Sequence, residues 1–139
     1  MKKYEFTGMT IRQEGKTLRE IRALRDFGNV RIGDIGGFIE KEYNLSHKGN
    51  CWVYGSAKVF DCAQLFGNAV AKDNAQIGEN AWLLDDAVVC DNAQALGNSA
   101  VLGTGLVCAN TIISGNARVG IKFRTFKRLL RFVKQLLRR

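Results

Sequence analysis

Cysteine and histidine, the side chains that most often bind zinc and often act as nucleophile and general base, are few in this sequence. The single histidine, His47, is not close to a group of cysteines, and no two cysteines form a CxxC pair. The cysteines are Cys51, Cys62, Cys90 and Cys108. A structural zinc site usually draws four thiolate or imidazole ligands from closely spaced pairs. This spacing therefore predicts four free thiols, no metal site and no cofactor.

Two further groups could suggest catalysis, but their settings favour a structural role. Asp85, Asp86 and Asp91 occupy positions where the chain is expected to bend, and aspartate is common there because it tolerates turn conformations. The glycine-rich segment 33–37 lacks the lysine and the helix start of a phosphate-binding loop. We therefore expect no catalytic residue, no small-molecule substrate and no enzymatic activity.

The net charge of +8 is unevenly distributed along the 139 residues. Eight of the 21 lysines and arginines lie in residues 121–139, which contain no acidic residue, so the other 13 balance the 13 acidic residues. The N-terminus lacks the apolar core of a signal peptide, and no apolar run approaches the ~18 residues of a membrane span. These features predict a neutral body with a basic tail, in a cytoplasmic protein of a bacterial host that does not span a membrane, and a membrane is not the expected partner.

A six-residue repeat occupies most of the chain. From Gly49 to Gly120, twelve consecutive units follow one another without an insertion or deletion. The third position of each unit is always small, most often alanine, and the fifth is Val, Leu, Ile or Ala. Glycine, aspartate and asparagine dominate the first two positions, and these residues tolerate tight turns and positive φ. Each unit therefore predicts a short strand followed by a bend.

The elements that this repeat requires form a coil. Positions three and five of an extended unit point to the same side, so they form the interior of a coil whose three sides come from successive units. No unit can bury its apolar side alone, and stability comes from stacking the turns. We predict an all-β, single-stranded parallel β-helix of about four coils over residues 37–120. Residues 1–36 form a β lead-in and cap, residues 121–139 form a helix, and the whole is one compact domain.

Residues eighteen apart lie in one column of such a coil, and one column predicts an apolar outer wall. The wall contains Trp52, Val70, Val88 and Leu106, with Tyr54 beside the first of them. A contiguous exposed apolar patch usually marks an interface, and Trp and Tyr are enriched at binding hot spots. We therefore predict self-association into a dimer or trimer through this wall. Cover by the terminal helix of the same chain and binding of a foreign partner are the alternatives.

The segment before the coil predicts a hairpin. Residues 9–13 and 16–24 are joined by Glu14-Gly15, which is a short turn signal. Residues 17–27 could form a helix instead, because Leu18, Ile21 and Leu24 would share one face. Either element would cover the first strands of the coil, which would otherwise present an open edge.

Residues 121–139 predict a basic amphipathic helix. Apolar residues recur there at three- and four-residue steps, at Phe126, Leu129, Leu130, Val133, Leu136 and Leu137. The opposite side carries Arg124, Lys127, Arg128, Arg131, Lys134 and Arg138. The helix could close the bottom of the coil, bind an acidic host protein or a nucleoprotein complex through its charged side, or lie on an anionic membrane.

Two sets of motifs resemble known families. The repeat resembles the hexapeptide repeat of left-handed β-helices. The segments DFGNV at 26–30, GDIGGFI at 33–39 and GNCWVY at 49–54 resemble the start of YdcK-like β-helix proteins of bacterial and prophage genomes, over roughly residues 17–120. The resemblance implies left-handed winding and self-association through flat sides, and it implies no established activity. Acyltransferases and zinc carbonic anhydrases with this fold depend on histidines between subunits, whereas this chain has only His47.

The function predicted from the sequence is therefore binding. The chain is interpreted as a non-enzymatic scaffold, encoded by a phage and acting by occupying a host factor, with inhibition of a CRISPR effector as a specific hypothesis. The alternatives are a degenerate acyltransferase-like enzyme, against which the missing histidines and the absence of loop insertions argue, and a purely structural component that self-assembles.

Overall fold

The computed structural model describes residues 2–120, so the predicted C-terminal helix lies outside the described residues. The described chain is all-β apart from one short 3-10 helix, Glu42–Asn44. Its strands form three sheets, which together make a parallel β-solenoid of about five turns. The predicted parallel β-helix is confirmed, and its left-handed winding stays a prediction.

The three sheets are the three sides of the coil. The first sheet contains β1 (Tyr4–Gln13), β2 (Lys16–Ala23), β3 (Ile35–Ile39), β5 (Lys58–Val59), β8 (Gln76–Ile77), β11 (Gln94–Ala95) and β14 (Ile112–Ile113), in that order. The second sheet contains β4 (Trp52–Val53), β7 (Val70–Ala71), β10 (Val88–Val89) and β13 (Leu106–Val107). The third sheet contains β6 (Gln64–Leu65), β9 (Trp82–Leu83), β12 (Ala100–Val101) and β15 (Arg118–Val119).

The solenoid begins earlier than the repeat count predicts. β3 pairs in parallel with β5, and Leu45 forms a parallel bridge to Leu65, so residues 35–46 supply two sides of a first turn. His47 and Lys48 then separate these two sides from the uninterrupted repeat. The predicted number of about four coils is therefore too low, because this two-residue insertion shifts the phase of the repeat.

The bend between two sides is made at the first position of each unit. The residue there has positive φ in every unit, between 54° and 71°. Glycine adopts this conformation without strain, and aspartate tolerates it better than most residues do. These residues are Gly49, Gly55, Asp61, Gly67, Asp73, Glu79, Asp85, Asp91, Gly97, Gly103, Ala109 and Gly115. Backbone geometry thus explains why the repeat favours Gly and Asp at this position.

The aspartates at these bends also join successive turns. In each of them, one carboxylate oxygen accepts a hydrogen bond from the backbone N–H eighteen residues later, as in Asp85 with Gly103 and Asp91 with Ala109, both at 2.9 Å. The aspartates that make this contact are Asp61, Asp73, Asp85 and Asp91. Asn74 and Asn92, at the second position, stack their amides in the same direction, at 3.3 Å. The polar residues at the corners therefore stabilise the stack.

The interior is filled as the repeat predicts. Val59, Ile77 and Ala95 follow one another at position five of the first sheet, and each is 0% exposed. Alanines fill position three of the same units, and they are 0% exposed as well. Burial of each valine or isoleucine contributes about 1.5–3 kcal/mol relative to an exposed side chain. The stacked apolar columns are therefore the main source of stability.

The lead-in is a hairpin rather than a helix. β1 and β2 pair antiparallel around Glu14 and Gly15, whose φ angles of 50° and 80° suit the two-residue turn that matches strand twist. β2 then pairs antiparallel with β3, the first strand of the coil. The hairpin therefore covers the edge of the first sheet that would otherwise be open.

Candidate binding groove

The predicted outer wall lies on the second sheet. Its position-four residues pair in register from turn to turn, so that Trp52 lies beside Val70, Val70 beside Val88, and Val88 beside Leu106. The four predicted residues thus share one side of the coil. The adjoining column at position six contains Tyr54, Lys72, Cys90 and Cys108.

Trp52 is buried at the top of this wall, which corrects the prediction that it is exposed. Its side chain is 1% exposed, because the rings of Phe27 and Tyr4 pack against it edge-on with centroids 5.2 and 6.3 Å away. Gly36 provides the space, since a Cβ at that position would lie 2.7 Å from Cζ2 of Trp52. Trp52 therefore anchors the lead-in to the coil and is not available to another molecule.

The rest of the wall borders a groove. Its volume is ≈ 750 Å³, and it lies between the second sheet and the loop that precedes β3. Val70, Val88 and Tyr54 line it and are half-buried, whereas Leu106 continues the wall beyond the groove and is 57% exposed. The groove is therefore an apolar surface with a tyrosine at its edge, which suits binding of an apolar side chain.

The groove also carries polar groups of both signs. Lys72 and Asp73 line it side by side, and both are exposed. Burial and the nearby carboxylate of Asp34 raise the pKa of Tyr54, so its hydroxyl keeps its proton and can donate a hydrogen bond. The groove can therefore contact both an apolar group and a charged one.

The cysteines beside this groove are free thiols. Cys90 is buried and Cys108 is half-buried one turn below it, and no disulfide joins them. Burial is the largest cause that raises the pKa of the Cys90 thiol, and the negative charge of Asp91 is the next. Asp73, Cys90 and Asp91 bring their ligand atoms within 4.8 Å of one another. The hydrogen bonds at the corners explain why these groups lie together, because Asp73 and Asp91 each accept a backbone N–H from the next turn.

The single histidine is held in the lead-in by contacts on both ring nitrogens. Nδ1 of His47 accepts a hydrogen bond from the backbone N–H of Lys3 at 3.0 Å, and Nε2 lies 3.4 Å from a carboxylate oxygen of Glu42. Its ring stacks on Tyr4, with centroids 4.2 Å apart. An accepting Nδ1 places the proton of the neutral ring on Nε2, which then donates towards Glu42. His47 therefore positions the first turn.

A buried lysine lies next to this histidine, and sequence reasoning missed it. Lys3 is 0% exposed, and its Nζ donates to the carbonyl of Cys51 at 2.7 Å and to that of Gly49 at 3.3 Å. Burial lowers the pKa of Lys3, and burial raises the pKa of the Cys51 thiol, 3.3 Å away. No local pattern could reveal Lys3, because its partners are 46 and 48 residues along the chain.

A second cleft, of ≈ 320 Å³, surrounds Trp82 on the third sheet. Trp82 is 49% exposed and Tyr43, which also lines the cleft, is 55% exposed. Arg118 and the amide of Asn98 add polar groups. The sequence did contain a signal for this cleft, since Trp82 stands at an outward position of its unit. Trp52, which was predicted to bind a partner, is thus buried, whereas Trp82 is exposed.

The predicted partner-binding side chains of the tail lie outside the described residues. They are Arg124, Lys127, Arg128, Arg131, Lys134 and Arg138. Among residues 2–120, no helix has the length and apolar character needed to cross a membrane.

Comparison with known proteins relates part of this chain to one protein of Escherichia coli strain K12, described as the uncharacterized acetyltransferase YdcK. The two sequences are 44% identical over 52 residues, which cover 37% of this chain and 16% of that protein. No protein-family model matches the chain. This partial similarity and the solenoid together are consistent with a hexapeptide-repeat β-helix family.

Proposed function

We propose that this chain is a non-catalytic binding module that self-associates through the groove on its second sheet. The observation that carries the proposal is the column of Val70, Val88 and Leu106, three apolar side chains in register on an outer surface. Tyr54, in the adjoining column, lines the same groove. Removing such a surface from water is favourable at about 25 cal/mol per Å² of apolar area.

The groove is lined by one positive and one negative side chain, Lys72 and Asp73, and this pair favours a second copy of this chain as the partner. A twofold contact places the same surface on both molecules, so it must be complementary to itself. The groove provides this, because Lys72 of each molecule can meet Asp73 of the other while the valine columns pack together. The dimer is therefore the form of self-association that we expect.

Measurement of molar mass in solution tests this proposal. Val88→Asp places a charge in the centre of the apolar column, and burial of an unpaired carboxylate costs several kcal/mol, so dimerisation should weaken by roughly 100-fold or more. Gln94→Asp is the matched control, because Gln94 holds the same outward position on the first sheet and is also half-buried. Light scattering should show a monomer for the first variant and a dimer for the second. A monomeric wild-type chain, or equal masses for both variants, argues against the proposal.

The role proposed for the tail is binding of an acidic host protein or a nucleoprotein complex through its lysines and arginines. The eight basic residues of 121–139 and the absence of acidic ones there support it. The expectation of a phage-encoded inhibitor of a CRISPR effector rests on that tail, and neither residues 2–120 nor the comparison adds support for it.

Acyl transfer is a second candidate function, and the description of the YdcK relative as an acetyltransferase favours it. The contacts of His47 do not suit a general base, since Nδ1, the basic nitrogen of this tautomer, already accepts the backbone N–H of Lys3. Incubation of the full chain with acetyl-CoA, with calorimetry for binding and release of free CoA for turnover, distinguishes the candidates. Binding or turnover would support acyl transfer, and their absence would support the binding module.

A further inference from the structure

The last turn of the solenoid, residues 103–120, exposes side chains that are buried in every other turn. Ala93, Ala95 and Val101 are 0% exposed, because another turn covers them. Their equivalents eighteen residues later lack this cover among residues 2–120. These equivalents are Thr111, which is exposed, and Ile113 and Val119, which are half-buried. Within residues 2–120, the interior of the coil is therefore uncovered at this end.

The backbone of the last turn is open as well. In the second sheet, the N–H of position four donates to the turn below, from Val70 to Ala87 and from Val88 to Gly105, both at 2.9 Å. Among the described residues this series ends at Leu106, because residues 103–120 form the last turn that the structure describes. An uncovered edge of paired strands with apolar side chains is a site where another chain can add. Solenoids need a cap at each end for this reason.

The segment that follows this end has the composition of such a cap. Residues 121–139 begin directly after Gly120, at the last corner of the coil, and their apolar residues recur at helical spacing. As a helix, nineteen residues span roughly 28 Å, which is long compared with a side of the coil formed by a two-residue strand. Arg118 is the single charged side chain of residues 109–120, so this end offers an apolar surface to an apolar stripe.

We propose that residues 121–139 of the same chain dock on the open end of the solenoid through their apolar side chains. They cover Thr111, Ile113 and Val119 and leave their lysines and arginines in solvent. This contact is separate from the groove on the second sheet, so it does not depend on self-association. It also leaves the basic side chains free to bind an acidic partner.

Hydrogen exchange of backbone amides in the full chain tests this docking. The double substitution Leu130→Asp with Val133→Asp places two charges in the apolar stripe, and exchange at Ile112, Ile113 and Val119 should accelerate at least roughly tenfold if it uncovers the end. The matched control is Arg128→Gln with Arg131→Gln on the charged side, which should leave exchange unchanged. Amides of β5 and β8 serve as the internal reference, and they should stay protected in both variants.

Three outcomes decide the proposal. Faster exchange confined to the last turn in the first variant, at every protein concentration, supports docking within one chain. Equal exchange in the two variants overturns it. Protection of the last turn that disappears on dilution identifies a second copy as the occupant and overturns it too. If the double variant does not fold, as the β5 and β8 amides would reveal, the single substitution Leu130→Ser gives the same comparison.

Discussion

At its N-terminal end, the coil is closed by residues that come from the start of the chain. β2 pairs with β3, Tyr4 and Phe27 cover Trp52, and the Nζ of Lys3 donates to carbonyls of the second sheet's first corner. At the other end, the described residues stop with an exposed edge, and Leu106 and Ile112 are 57% and 59% exposed. The same six-residue repeat therefore ends in two different environments.

This difference shows what a repeat can and cannot specify. Every unit has the same kinds of residue at its bend and at its inward positions. The inward residues are buried only by neighbouring turns, so a turn is stable only where another turn lies above and below it. At an end, the missing neighbour must be replaced by residues outside the repeat. The lead-in performs this role with the rings of Tyr4 and Phe27 and the buried ammonium of Lys3, all of which lie outside the repeat.

The largest expected effect concerns the two tryptophans, which hold the same position in their units but have opposite environments. Trp52→Ala should lower the free energy of unfolding by about 3–5 kcal/mol, because it removes a buried ring and leaves a cavity under Tyr4 and Phe27. Trp82→Ala is the matched control, and we expect a loss below about 1 kcal/mol, since Trp82 is 49% exposed. Urea denaturation of the full chain measures both values. Equal losses would mean that the lead-in contributes little to closing the coil.

A smaller effect is expected from a bend in the last turn. Ala109 has a φ of 58°, a conformation that strains an alanine. Ala109→Gly should therefore stabilise the chain by about 0.5–1 kcal/mol in urea denaturation. The reverse substitution, Gly97→Ala, should be destabilising, because its φ is 64° and its new Cβ would lie 2.6 Å from the backbone nitrogen of Gly115. A loss of stability in Ala109→Gly would show that flexibility at this end outweighs strain.

The smallest expected effect is a pH dependence at the N-terminal end. The hydrogen bond from Lys2, followed by that from His47, lowers the pKa of Glu42 from its ordinary value of 4.5. A carboxyl with a lowered pKa in the folded state adds stability above its ordinary pKa, and this is lost as the pH falls through the lowered value. Because the Glu42 side chain is 45% exposed, solvent screening limits the contribution to a few tenths of a kcal/mol, about 1 kcal/mol at most.

Denaturation midpoints between about pH 5 and pH 3 measure this contribution. Glu42→Gln should reduce the fall in stability over that range relative to the wild-type chain. Glu14→Gln, in the exposed hairpin turn, provides the control and should leave the fall unchanged. The same pH dependence in Glu42→Gln and the wild-type chain would show that the contacts of Glu42 do not help to hold the first turn.

Much of the fold could be predicted because the repeat is a local signal. Alternation between inward and outward positions follows from strand geometry, so Val70 and Val88 were correctly placed on one wall from their spacing alone. The turn at Glu14 and Gly15 was also predicted from the sequence. The number of coil turns was not, because His47 and Lys48 are two extra residues between the first two sides of the coil and the regular repeat that begins at Gly49.

The candidate site was predicted only in part. The column of Val70, Val88 and Leu106 was correctly placed on one side of the coil. Trp52 was wrongly predicted to be exposed, because a side chain that points outward from the coil can still be covered by another segment. The spacing placed Trp82 on an outer side as well, but only the tertiary structure showed that it is exposed where Trp52 is not, and that Lys3 is buried. Each of these depends on which distant segment covers a given residue, and spacing within a unit contains no information about that.

By itself, the sequence determined the parallel coil, its inward columns and its polar corners, since these depend on interactions between units that share one pattern. Only the tertiary structure decided that Tyr4 and Phe27 cover Trp52, and that the groove therefore begins at Tyr54 and Val70. The physical reason is that a repeated pattern fixes the direction of a side chain relative to its own strand. Burial additionally depends on contacts between segments far apart in the chain.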